Sequence, residues 1–141
     1  MIALQDRLTI HELLSRLDHA VDAGDWDTYV AFFHERGVLD SGWTPPVEGP
    51  DNIRAWLAAN EGNTSGKRHV VSNVVLDEEG DVVRATSYLT VIEREDIPRI
   101  VATALITDDL VRIGDRWVVL RHTVRVDPGM MKAFAAAGGA S

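Results

Sequence analysis

The chain has 141 residues, 45% of them hydrophobic and 26% charged, which is the length of one domain with enough apolar material for one core. Fourteen Lys and Arg against 22 Asp and Glu leave a net charge of −8 with the basic residues scattered, so a phosphate-neutralising surface is missing and no nucleic-acid partner is expected. There is no cysteine, which removes disulfides, thiolate metal sites and cysteine nucleophiles.

Met1 to Arg16 interleaves Asp6, Arg7, His11 and Glu12 with apolar residues, unlike the uninterrupted core of a secretion signal. No window approaches the roughly 18 consecutive apolar residues of a membrane span. A cytoplasmic protein without a membrane partner is the expectation. From Leu4 to Val21, Ile10, Leu13, Leu14, Leu17 and Val21 recur at intervals of three and four, the stripe of an amphipathic helix. Gly24 offers a stop, and Asp25 a cap for a second short helix over Asp25 to His34. Gly37 to Asp40 reads as a brief strand. Ser41 to Pro50, with three prolines and two glycines, reads as a loop carrying Trp43. Asp51 to Ala59 suits a third helix, followed by the polar run Glu61 to Lys67.

Beyond Lys67 the period changes from 3.6 to 2. Arg68 to Leu76, Val82 to Ile92, Arg99 to Thr107 and Arg116 to Val126 are rich in Val, Ile, Thr and Tyr and read as strands. Glu79 with Gly80, and Ile113 with Gly114 and Asp115, mark tight hairpins. Helices first and a strand meander afterwards predict an α+β domain, with the helices on one face of a curved, mostly antiparallel sheet. The domain spans residues 1–141, with a core over 4–126 and a small-residue tail over 127–141. Ala133 to Ser141 is expected to be mobile.

Alternation shows which polar residues interrupt apolar faces. In the last strand Val118, Leu120, Val124 and Val126 share a side with His122. In the second long strand Ser87 lies among Val83, Ala85, Leu89 and Val91. His69, Val71 and Asn73 alternate together on the first long strand, but Val70, Val74 and Leu76 make its other side apolar too, so alternation does not orient it. If His69 and Asn73 face the helices, an apolar interior holds His69, Asn73, Ser87 and His122, the usual form of a small-molecule site.

A histidine serves as general base or acid when a carboxylate holds its tautomer and stabilises the imidazolium. Asp18 and Asp22, one turn apart beside the first helix's apolar stripe, are the candidate partners, and helical angle does not choose between them. Asp22 sits in the last turn, where the negative end of the helix dipole disfavours a carboxylate. No His-Glu-x-x-His spacing, glycine-rich phosphate loop or G-x-S-x-G elbow occurs. Neither a metal nor a nucleotide cofactor is expected.

Several phrases carry a family resemblance. They are Ala20 to Asp27 (AVDAGDWD) at the first helix junction, Phe32 and Phe33 running through Val38, Leu39 and Asp40, and Glu48 to Asp51 (EGPD) opening the third helix. His69 to Asn73 (HVVSN) and the hairpin from Gly114 to Trp117 complete them. With these the chain resembles the SnoaL-like branch of the nuclear transport factor 2-like superfamily, which includes scytalone dehydratase, γ-hexachlorocyclohexane dehydrochlorinase, ketosteroid isomerase and limonene epoxide hydrolase.

The resemblance implies a cone-shaped α+β barrel around a deep apolar pocket, often dimeric through the outer sheet face. It implies that Asp22 at the first helix's end and His69 after the third helix form the catalytic dyad, and that His69 points inward. The chain also departs from these relatives: Val21 and Leu17 stand where tyrosines occur in some of them, so a phenolic donor requires Tyr88 or Tyr29 to turn inward. Ser87, Tyr88 and Leu89 replace the Arg-x-Asp of limonene epoxide hydrolase, which disfavours epoxide hydrolysis. The expected activity is cofactor-independent proton abstraction or elimination, of dehydratase or isomerase type, on a small hydrophobic oxygenated molecule. An aldol-type polyketide cyclase and a non-catalytic binding or dimerisation module are the alternatives. Asn73, Ser87 and His122 are expected to bond substrate oxygen. Leu17, Phe33, Trp43 and Leu89 are expected at the pocket wall, with Met130, Met131 and Phe134 as a lid.

Overall fold

The apolar stripe of the first segment becomes the helix α1, Leu4–Ala23, whose Ile10, Leu13, Leu14 and Leu17 are each no more than 5% exposed. At roughly 1.5–3 kcal/mol per fully buried side chain, that stripe is the largest single reason the helix packs inward. Gly24 ends it in the left-handed conformation, φ 66°, and its N–H returns to the carbonyls of Ala20 and Val21. Asp25 then caps α2, Trp26–Ala31, by accepting a 3.1 Å hydrogen bond from the backbone N–H of Thr28. The helix is shorter than expected because Phe33 already belongs to β1, Phe33–Asp40.

The computed structural model describes residues 1–138. After β1 come the two-residue strand β2, Val47–Glu48, inside the expected loop, then α3, Pro50–Ala59, and a 3-10 turn at Glu61–Asn63. Four long strands follow: β3, Lys67–Glu79; β4, Val82–Glu93; β5, Ile100–Ile113; and β6, Arg116–Val126. They join β1 and β2 in one open sheet of order β2-β1-β6-β5-β4-β3, antiparallel except where β1 runs parallel to β6. α1 lies against β3, and α3 against β1 and α2, so the helices fill the concave side and the fold is a cone-shaped α+β barrel that does not close. The tail is not a loose end: Pro128–Gly138 forms a helix, α4. Residues 139–141 of the expected mobile stretch lie outside the described residues.

Two of the sheet's register shifts decide which side chains of β3 and β6 face the helices. In β3 the register shifts between Ser72 and Val75, opposite Tyr88 and Thr86, so Asn73 and Val74 together face Ser87. Asn73 takes φ 54° there, a conformation asparagine tolerates better than most residues. In β6, Val119 pairs with Leu110 and Arg121 with Asp109, which leaves Leu120 as the extra residue. The inner side of β6 is therefore Val119, His122 and Val124, not the strict alternation through Val118 and Leu120. Phe33 and Leu39 on β1 stand beside Val119 and His122 in register.

A chamber with two imidazole–carboxylate pairs

Between α1, α2, α3 and the concave sheet lies a chamber of about 610 Å³, within the size range of small-molecule sites. Leu14, Leu17, Leu39, Val71, Leu89 and Ile106 give it apolar walls. His69 and His122 enter it from β3 and β6, and Asp18, Tyr29 and Asp108 also line it.

The Nδ1 of His69 lies 2.7 Å from Oδ1 of Asp22, and the backbone N–H of His69 donates to the same carboxylate at 3.0 and 3.3 Å. An ionised carboxylate only accepts, so the bond assigns the ring proton to Nδ1 and leaves Nε2 to the chamber. His69 is 12% exposed and Asp22 19%. Asp22 stands behind the imidazole rather than on the chamber surface. Its position at the end of α1 places a carboxylate against a negative helix terminus. The two donors from β3 offset that penalty.

A second pair of the same construction was not foreseen. His122 faces Asp108 directly across β6 and β5, with Nδ1 2.6 Å from Oδ1, and Asp108 is 2% exposed. Burial of His122 favours its neutral form, but the charge and hydrogen bond of Asp108, with help from Asp18, outweigh it and hold the imidazole's pKa above the ordinary histidine value. Burial pushes the Asp18 carboxyl up to about 7, eased by His122 and reinforced by the charges of Asp108 and Asp22. Burial, then Asp108 and Asp18, push the Tyr29 hydroxyl upward, so it stays a phenol that can donate. The chamber thus answers the missing phenolic donor with Tyr29. Tyr88, in contrast, is 56% exposed.

The other expected positions divide clearly. Leu17, Leu89, Trp43 and Phe134 line the chamber; Trp43, 56% exposed, stands at its rim, 6.2 Å between ring centroids from Trp56. Asn73 does not join the site: the bulge turns it out of the alternation begun by His69 and Val71, and it is exposed. Phe33 is core, packed on Tyr29 at 5.4 Å between centroids. Ser87 faces inward but is closed off by packing, and its Oγ has no hydrogen-bond partner among the described residues. Met130 and Met131 do not reach the chamber, since α4 presents only Phe134 to it. Asp108 was detectable in principle. Ala104, Ile106, Asp108 and Leu110 alternate as one apolar face, all buried, and ending the expected strand at Thr107 hid the carboxylate that interrupts it.

The family model for the SnoaL-like domain matches residues 3–123. A Nostoc punctiforme protein of unknown function with a cystatin-like fold is 30% identical, with a TM-score of 0.84 over 92% of this chain and 96% of its own. ActVI-ORFA of Streptomyces coelicolor is 23% identical, with a TM-score of 0.79 over 86% and 97% of the two chains. A Catenulispora acidiphila protein, solved in complex with S-DNPA, is also 23% identical, with a TM-score of 0.79 over 89% and 96%. No curated protein matches the chain.

Proposed function

Since the chain belongs to the SnoaL-like domain family, we propose that it is a cofactor-independent enzyme that moves a proton on a small, apolar, oxygenated molecule, as a dehydratase or isomerase. The observation that carries this reading is the 2.7 Å bond from the His69 ring to Asp22 at the wall of the chamber. His69 Nε2 takes a proton from a carbon acidified by a neighbouring carbonyl, and Asp22 stabilises the imidazolium that results. Return of that proton to another carbon isomerises the substrate; its delivery to a departing hydroxyl dehydrates it. One positioned base supplies typically 10²–10⁴-fold, and the apolar walls, by orienting the substrate and excluding water, supply more.

The test is a screen of hydroxylated and carbonyl-bearing terpenoid, steroid and polyketide compounds for turnover, comparing wild type with His69→Ala and Asp22→Asn. Loss of turnover in both variants is expected. Full activity in both would end the assignment.

A further inference from the structure

One carboxylate–imidazole pair serves the proton transfer just proposed, and a second stands across the chamber. The second is not required for packing. Asp108 lies between Ile106 and Leu110 on an otherwise apolar, fully buried strand face, where a hydrophobic residue of similar volume is commonly as stabilising as an ion pair. Among the described residues the side-chain partner of its carboxylate is His122, which uses Nδ1 for that bond and lines the chamber.

The two imidazoles stand on β3 and β6, three strand spacings apart in the sheet order. At about 4.8 Å each, this separates their backbones by roughly 14 Å along the sheet, and the concave curvature tips the rings toward one another. Both rings line the one chamber, so a ligand filling it meets both. Among the described residues each ring is bonded to its carboxylate through Nδ1, but the surroundings differ. His122 has Asp108 across the strand, Asp18 from α1 and Tyr29 from α2 around it. His69 has Asp22 behind it.

We infer that His122, held by Asp108, is the oxygen-side acid of the same reaction, so that the substrate is an enolisable carbonyl compound gripped between two imidazoles. This rests on the reading of His69 as base. In the step, the C–H bond next to the carbonyl breaks and its proton goes to His69 Nε2. The electron pair becomes the carbon–carbon double bond of the enol, the carbonyl π pair moves to oxygen, and oxygen takes the proton from His122 Nε2. His69 ends as imidazolium and His122 as neutral imidazole, and reversal at the same or another carbon restores both. Asp108 touches no substrate and acts as the positioning residue that keeps His122 charged.

The experiment is hydrogen–deuterium exchange of β-tetralone, a bicyclic enolisable ketone, followed by NMR across pH, together with ¹⁵N-histidine spectra of the ligand-free protein. Exchange by wild type should fall at high pH as His122 loses its proton. His122→Asn should slow exchange roughly 10²–10³-fold, the usual cost of losing one oxyanion donor, and should remove the upper limb. Asp108→Asn keeps an acceptor for Nδ1 while removing the charge, so it should move the upper limb to lower pH, a shift that a purely structural role does not produce. The spectra should show His122 keeping both ring protons to a higher pH in wild type than in Asp108→Asn. A wild-type His122 that gives up its second proton no later than the variant does overturns the inference whether or not β-tetralone exchanges. So does an upper limb unmoved by both variants. Retention of exchange in His69→Ala would instead remove the base, a failure of the earlier reading and distinguishable from this one.

Discussion

Asp18 and Asp22 stand one turn apart on α1 and serve one chamber in different ways. Asp22 is clamped behind His69 by the imidazole and by the backbone N–H of β3. Asp18 reaches the chamber surface itself, where it feels His122, Asp108 and Asp22. The helix thus supplies one carboxylate that holds the His69 imidazole and one that faces the cavity.

Replacing Asp22 with Asn should separate orientation from charge. The amide oxygen still accepts the His69 backbone N–H, so thermal stability should change little, whereas β-tetralone exchange should drop about 10²–10⁴-fold for want of imidazolium stabilisation. A variant that keeps wild-type exchange rates would mean that Asp22 is only a structural clamp.

Asp18→Asn should stabilise the protein in a pH-dependent direction. The folded-state pKa of about 7 lies above the ordinary 3.8, so between these values the folded chain holds a proton that the unfolded chain has released. Stability arising from this group therefore falls as pH rises through that window. The melting temperature of Asp18→Asn should match wild type near the lower end and exceed it above the upper end. A difference that is constant with pH would contradict the raised value.

Filling the chamber should abolish binding without disturbing either pair. Leu89 is half-buried on β4 and lines the cavity; Leu89→Trp grows into open volume, at a cost within the roughly 1–3 kcal/mol typical of overpacking. Calorimetric titration with β-tetralone should show no heat, while the histidine spectra stay as in wild type. Unchanged affinity would place the ligand elsewhere.

The outer sheet face is proposed to carry a homodimer. Tyr88 and Leu105 are cross-strand neighbours there, exposed at 56% and 38%, and Val70 is exposed at 40% on β3 nearby, an apolar patch of the kind that marks an interface. Sedimentation of wild type should give a dimer and Tyr88→Asp a monomer. Equal sedimentation of the two would exclude this face.

The amino-acid order by itself determined the fold class and the long elements, α1, α3 and the four-strand meander, because helix and strand periods are local properties. The stripe from Ile10 to Val21, the Gly24 and Asp25 punctuation and the switch to period two after Lys67 are all readable without neighbours, and together with the phrase around His69 they carry the family. Local phrases also brought Asp22 and His69 forward as partners across a separation of 47 residues. What only the tertiary structure decided is which face each strand shows. Single-residue bulges at Asn73 and Leu120 reverse the alternation beyond them, expelling Asn73 and exchanging Val118 for Val119. The pairing of His122 with Asp108 depends on the register between β5 and β6, a long-range hydrogen-bond choice that no local pattern encodes. Both come from the same physical fact: a strand's side-chain period is two, so one extra residue, invisible as composition, turns the chain's chemistry inside out.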